Sequence, residues 1–301
     1  MDQAIIHTFH STLGTLKNGK PPPIFPGPQP ISIERKHFET LKNNEYVVCE
    51  KTDGVRHAMV CSTYNGKNVC ALLNRKLALK DIDIELPELA YKGTVLDGEL
   101  IDGNIFLVYD GMSINGENIM GNNLLERMKK VGFFIKKIKK TKKDIYKIKF
   151  KNFFMKEDIQ DLVNNFIPKL KYKTDGLIFT PIFENVKLGT HETMFKWKPR
   201  DMNTIDFQLK WRGDRWGLYI QDRGVLIFQS QLNHIQGNEW LKEDNIVECQ
   251  YMCDDKIPWW KPIGLRTDKN YPNNRRTFYR TLVNIKENIQ QQDFFSKIDH
   301  K

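Results

Sequence analysis

The residue whose setting most suggests chemistry is Lys51. It follows the run Tyr46-Val47-Val48-Cys49-Glu50 and precedes Thr52-Asp53-Gly54-Val55-Arg56, after which a second apolar run (Ala58, Met59, Val60) begins. That pattern reads as strand, tight turn, strand, with the lysine held where the first strand ends and acids close by. An amine fixed in this way can act as a nucleophile that carries a covalent intermediate. Further along, polar groups repeatedly break apolar strands: Asp97-Gly98-Glu99 within 94–101, and Asp175-Gly176 before Leu177-Ile178-Phe179. Phe195-Lys196-Trp197-Lys198 alternates so that both lysines share one strand face. Arg266-Thr267-Asp268-Lys269 forms a charged cluster in a tail that also holds Trp259 and Trp260. Taken singly these pieces are weak, since an Asp-Gly pair usually marks only a turn. Their order and character carry the argument.

The elements that must position them follow from periodicity. Residues 17–30 form a proline-rich, extended lead-in, and Ser32 is expected to cap a short helix over 33–41. Strands are expected around Lys51, at 69–73 ending at Asn74-Arg75, and at 94–101 returning through a hairpin turn at Asp102-Gly103 or Gly103-Asn104 over 105–109. Amphipathic spacing predicts helices over 124–131, 156–170 and 277–289. From about residue 205 the texture changes to short strands and turns (Gly213-Asp214, Asp222-Arg223-Gly224, Gly237-Asn238), which predicts a small all-β second domain.

Composition narrows the class. At 301 residues with an apolar fraction of 40%, the chain has ample core for one large domain or for a large and a small one. Lysine and arginine exceed the acids by 47 − 37 = 10, which favours a polyanionic partner. The run from Lys129 to Lys151 holds eleven lysines against one acid, Asp144; it reads as a solvated surface or as a patch for a nucleic-acid backbone. No apolar run reaches about 18 residues and no secretory leader is expected, so no membrane association is expected. Five cysteines in no regular framework read as free thiols, and Cys249 with Cys253 makes at most half a zinc site.

In the order and spacing of these segments the chain resembles the covalent nucleotidyltransferases, that is, mRNA capping guanylyltransferases and ATP-dependent polynucleotide ligases. The resemblance rests on Lys51-Thr52-Asp53-Gly54, Asn74-Arg75, Asp97-Gly98-Glu99, Phe106 to Asp110, Asp175-Gly176, Lys196-Trp197-Lys198, and Arg266-Thr267-Asp268-Lys269 with Asn273. It spans residues 25–290. Arg56 after Asp53-Gly54 and the Arg-x-Asp-Lys cluster resemble the capping branch, and the segment from Phe25 to Lys36 is similar to the compact guanylyltransferases of chlorella viruses. A departure is Tyr109, where relatives often have phenylalanine.

The resemblance implies an α+β fold: an ATP-grasp-like nucleotidyltransferase domain of antiparallel sheets with helices over 1–204, then an OB-fold β-barrel over 205–301 whose C-terminal helix is able to pack back on the first domain. It implies an mRNA guanylyltransferase that moves GMP from GTP through a lysyl-N-GMP intermediate to the 5′-diphosphate end of RNA. Lys51 would be the nucleophile. Lys196, Lys198, Arg266, Asp268 and Lys269 would serve catalysis, the last three reaching the β- and γ-phosphates through a domain closure. Glu50, Thr52, Arg56, Arg75, Glu99 and Tyr109, with Lys196 and Lys198, would bind the nucleotide, and Glu99 and Asp175 would hold Mg²⁺ or Mn²⁺. Asp53 and Asp97 would fix their turns. A separate RNA triphosphatase and cap methyltransferase are implied as partners, with an intracellular, viral setting that extends to the virion. The rivals are a ligase that loads AMP onto Lys51 and a nucleic-acid-binding module without catalysis.

Overall fold

The computed structural model describes residues 2–140, 145–232, 239–252 and 259–298. Lys142, Lys143 and Asp144 of the basic run, the Gly237-Asn238 turn and Cys253 lie outside the described residues. The chain divides into two compact units, the first comprising Met1–Ile31, Glu39–Lys196 and Ile298–Lys301, the second Ser32–Phe38 and Trp197–Lys297.

Two sheets build the first unit. One contains β1 (Pro28–Ser32), β2 (Tyr46–Thr52), β12 (Phe154–Met155), β13 (Thr174–Pro181) and β14 (Gly189–Trp197), in the order β1-β14-β13-β2-β12. The other contains β3 (Val55–Tyr64), β4 (Lys67–Asn74), β5 (Leu79–Asp81), β7 (Thr94–Ile101), β8 (Ile105–Ile114) and β11 (Lys147–Phe150), in the order β11-β8-β7-β3-β4-β5, with β9 (Glu117–Asn118) on β8. A separate pair joins β6 (Ile84–Glu85) to β10 (Lys139–Lys140). The β7–β8 hairpin turns at Asp102 and Gly103, both at positive φ (+51° and +73°), the backbone that a two-residue Asp-Gly turn favours. The helices are α1 (Asp2–Thr12), α2 (Phe38–Asn43), α3 (Leu124–Ile135) and the single turn α4 (Ile159–Asp161).

Strand alternation sorts the larger sheet's side chains into two layers. Met59, Leu72, Leu96, Phe106 and Val108 point to one face, where Val131 and Phe134 of α3 cover them. Ala58, Val60, Ala71, Leu73 and Val95 point to the other, under Ile5 and Phe9 of α1. Full burial of such a side chain stabilises by roughly 1.5–3 kcal/mol. The apolar cover on this second face ends at the rows where Arg56 opposes Glu99 and Ala58 opposes Asp97, and there the sheet turns charged.

In the second unit β15 (Thr204–Trp211), β16 (Trp216–Asp222), β17 (Val225–Gln231), β18 (Ile246–Met252) and β19 (Trp259–Leu265) form an antiparallel sheet ordered β17-β16-β15-β18-β19. Among the described residues it does not close into a barrel. Phe278 and Ile285 of α5 (Arg275–Glu287) pack on Phe207, Leu218 and Trp260, and α6 (Gln291–Ile298) follows. No helix among the described residues is long and apolar enough to cross a membrane.

Two local expectations fail for stated reasons. The helix over 33–41 starts late because Ser32 belongs to β1; Glu34 instead closes a capping box with His37, giving one 3-10 turn and then α2. Arg35 of this segment donates its amide to Glu287 at 2.7 Å and its guanidinium to Asp293 at 3.3 Å, within the second unit. The segment 156–170 breaks into short α, π and 3-10 turns, with Pro168 at the start of the last, where it supplies no amide donor.

Candidate active site

The turn between β2 and β3 explains its own glycine. A Cβ on Gly54 would lie 2.7 Å from Leu100 O and 2.8 Å from Glu99 Cγ, so only glycine lets β3 cross this close to β7. Opposite Lys51 the ladder slips: Thr174 pairs with Thr52 but Leu177 pairs with Glu50, so Asp175 and Gly176 together face a single residue. This bulge, with Gly176 at φ +148°, re-aims the Asp175 carboxylate. Lys51 Nζ donates to Asp175 Oδ1 at 2.7 Å, both side chains being partly open to solvent.

On the neighbouring sheet Asp97 is not a turn residue but lies within β7, buried, and organises two candidate nucleotide contacts. Arg56 donates through Nε (2.9 Å) and Nη2 (2.5 Å) to the two Asp97 oxygens, and Tyr109 O–H donates to Oδ1 at 2.9 Å. Arg56 Nη1 also donates to Pro28 O at 2.6 Å, and its guanidinium lies over the Phe25 ring at 5.2 Å. Gly27 lacks a Cβ where one would strike Arg56 Nη2. Burial alone would lower the Arg56 pKa, but Asp97 outweighs it and the cation is held more firmly than usual. Burial raises the Tyr109 phenol well above its ordinary value, so the hydroxyl stays a donor.

Glu99 opposes Arg56 across β3 and β7. Burial pushes its carboxyl up to about 7, although Lys51, Arg75, Lys151 and Arg56 all pull it down. Three of these cations also hold carboxylates of their own, Lys51 with Asp175, Arg56 with Asp97 and Lys151 with Glu50, so this part of the face is a dense charged network. Arg75 is exposed, one residue past β4, where Asn74 Oδ1 accepts from the amides of Lys76 and Ala78 and fixes the turn.

The residue that sequence reading left in the basic surface is Lys151. It is 4% exposed, donates to Thr52 Oγ1 at 2.5 Å and lies 3.0 Å from Glu50 Oε1, which also accepts from Tyr172 O–H at 2.8 Å. Glu50 is fully buried, and its Oε2 has no hydrogen-bond partner among the described residues. The candidate residues Glu50 and Thr52 thus form the floor behind Lys51, with Lys151 as counter-ion. The alternation of β11 puts Lys151 in phase with exposed Lys147 and Lys149, so the sequence signal points outward.

Lys196 lies near the end of β14, whose sheet neighbour β13 carries Asp175, while Lys198 stands just past the strand on the second unit's part of the chain. The remaining candidates gather within the second unit. Arg266 forks onto Asp268 (2.9 Å twice) and donates to Asp206 at 2.8 Å, and Lys269 pairs with Asp206. Asn273 Oδ1 accepts from the Asp206 amide at 2.8 Å and anchors that acid.

A strand-end lysine thus faces a bulge-borne aspartate beside a charged sheet face. Residues 3–200 match the family model described as mRNA capping enzyme, catalytic domain, and residues 202–295 match mRNA capping enzyme, C-terminal domain. The chain belongs to the mRNA capping enzyme family. It is 29% identical over 334 residues to the mRNA-capping enzyme subunit alpha of Schizosaccharomyces pombe, covering 93% of this chain and 81% of that one. The corresponding Saccharomyces cerevisiae subunit is 30% identical, covering 92% and 79%. The mRNA-capping enzyme of Mus musculus is 28% identical, covering 91% of this chain and 50% of its own length.

Proposed function

We propose that the chain is an mRNA guanylyltransferase, and the pairing of Lys51 with Asp175 at 2.7 Å carries the reading. Lys51 Nζ attacks the α-phosphate of GTP, a P–N bond forms as the bond to pyrophosphate breaks, and the 5′-diphosphate end of an RNA then takes the GMP and frees the amine. Only the neutral amine attacks. Asp175 holds Nζ in place and is the acceptor at hand for its proton. Dividing one transfer into two easier ones is what the covalent lysine contributes.

Arg56, Arg75 and Lys51 offer charge to the anionic nucleotide, and Tyr109, fixed by Asp97, offers an aromatic face to a base. Lys196 and Lys198 neutralise the α-phosphate as it becomes five-coordinate. Arg266 and Lys269 meet the β- and γ-phosphates after a closure, Arg266 supplying forked bonds in place of those it makes to Asp268, which serves by holding that guanidinium between turnovers. Glu99 and Asp175 supply the oxygen donors that Mg²⁺ or Mn²⁺ takes alongside phosphate, and the Glu99 carboxyl, partly buried next to the nucleophile, fits that use. Such a cation, when bound, neutralises phosphate charge. We read the five-stranded sheet of the second unit as an OB-type domain and set the domain boundary near residue 204, where β15 begins, a few residues past the Lys196–Trp197 division between the two compact units. An RNA triphosphatase that makes the acceptor and a methyltransferase that consumes the product are assigned to separate partners in an intracellular, viral setting.

The test is incubation with labelled GTP or ATP and a divalent cation, scored for a covalent adduct on a denaturing gel. The wild type is expected to label with GTP and the Lys51→Ala variant not to label. Labelling by ATP alone would identify a ligase, and no labelling at all a binding module.

A further inference from the structure

The edge strand β11 has a side-chain pattern that the nucleotide chemistry does not use. It pairs in parallel with β8, Lys147 opposite Ile105 and Lys149 opposite Leu107. Leu107 in turn opposes Glu99, and Glu99 opposes Arg56. Partners across a ladder share a face, so Lys149, Leu107, Glu99 and Arg56 form one row across the sheet. Ile148 and Phe150 point the other way, into the core under α3. Lys147, Lys149 and Lys151 therefore all stand on the active-site face, about 6.6 Å apart along the strand. Exposure falls along the series: Lys147 and Lys149 are exposed, while Lys151 is buried against Glu50 and Thr52, the residues on either side of Lys51.

Two other lysines of the basic run differ. Lys130 is paired with Glu117 at 2.6 Å and Lys139 with Glu85 at 3.5 Å. Neither Lys147 nor Lys149 makes an ion pair among the described residues.

We propose that β11 is the track for the RNA strand behind the acceptor end, with successive backbone phosphates meeting Lys147 and Lys149 as the terminal diphosphate approaches Lys51. This rests on the guanylyltransferase reading. Single-stranded RNA is the occupant because the cations repeat at every second residue along one line, comparable to the step between phosphates of an extended strand. The line also ends at the group that must meet the RNA terminus.

The experiment compares the full-length wild type with the Lys147→Gln/Lys149→Gln double variant and with a charge-matched control, Lys129→Gln/Lys137→Gln, at exposed positions in and just after α3. Adduct formation from GTP, and GMP transfer to a 5′-diphosphate RNA about twenty nucleotides long, are measured as a function of salt. The track variant is expected to form the adduct at the wild-type rate, to raise KM for the long RNA several-fold with kcat unchanged, and to leave transfer to a 5′-diphosphate dinucleotide unaffected. The slope of log affinity against log salt is expected to fall by about 1.4, two contacts at about 0.7 each for a single strand. An unchanged RNA KM and slope, or an equal loss in the control, overturns the track. So does self-association of the track variant without loss of RNA affinity, since edge lysines can also serve to block strand addition. A wild type that forms no adduct overturns the underlying reading instead.

Discussion

The Arg56–Asp97 pair is the most direct test of how this site is held. Their side chains are 8% and 4% exposed, and Asp97 accepts two bonds from Arg56 and one from Tyr109. Replacing Asp97 with leucine takes the forked counter-ion from a buried guanidinium, which keeps its bond to Pro28 O, the Phe25 ring and the Glu99 carboxyl across the ladder. Breaking one partner of a buried ion pair costs about 3–5 kcal/mol, because the other charge stays desolvated and uncompensated. Arg56→Met leaves the Asp97 carboxylate in the same position, at a similar cost. The double replacement removes both charges, so its cost is expected to fall well short of the sum, with a coupling of at least about 2 kcal/mol. Urea unfolding followed by far-UV circular dichroism measures this. All six tryptophans lie at or beyond residue 197, so their emission reports the second unit and not the site of these substitutions. Single-variant costs that add within about 0.5 kcal/mol would refute the argument, since independent sites behave that way.

Three further outcomes are expected. Glu99 titrates at about 7 when folded, above an ordinary carboxyl, so its ionisation opposes folding: its contribution is fully present below about pH 4.5 and is lost as pH rises through 7. The Glu99→Gln variant is therefore expected to match the metal-free wild type in urea stability near pH 5 and to exceed it above pH 7; a constant difference across that range refutes this. Lys151→Met leaves Glu50 buried without its counter-ion and is expected to lose about 3–5 kcal/mol in the same assay, a loss below 1 kcal/mol counting against the pair. Gly54→Ala places a methyl against Leu100 O and Glu99 Cγ and is expected to cost about 1–3 kcal/mol through overpacking, together with most adduct formation.

Much of this was legible in the sequence because local and long-range signals agreed. The β7–β8 hairpin combined apolar runs with an Asp-Gly turn, and α3 and α5 carried an apolar stripe, so propensity, pattern and fold coincide. Lys51 stood out because a charge ended a strand that is otherwise buried. What stayed hidden was set by distant partners. Nothing near Lys151 announces Glu50 and Thr52, about a hundred residues away, which turn one of many lysines into a buried ion. Asp97 and Asp175 read as turn residues because Asp-Gly usually is one, whereas here each pair sits at a register shift within a strand, visible only once the partner strand is known. The short helix expected over 33–41 starts two residues late because Ser32 stays in a strand and leaves the capping to Glu34.

Arg266 and Lys269 arrive with carboxylates of their own. Asp268 occupies both arms of the Arg266 fork, and Asp206 takes its third donor along with Lys269. In the role proposed for these cations, a nucleotide's terminal phosphates must first dislodge resident competitors, so the grip is weaker than bare cations would give. The same competitors can reclaim the cations once the α–β bond is cut. On that proposal pyrophosphate leaves a contest instead of a clamp, and the two acids would return the cations to the pairs seen here.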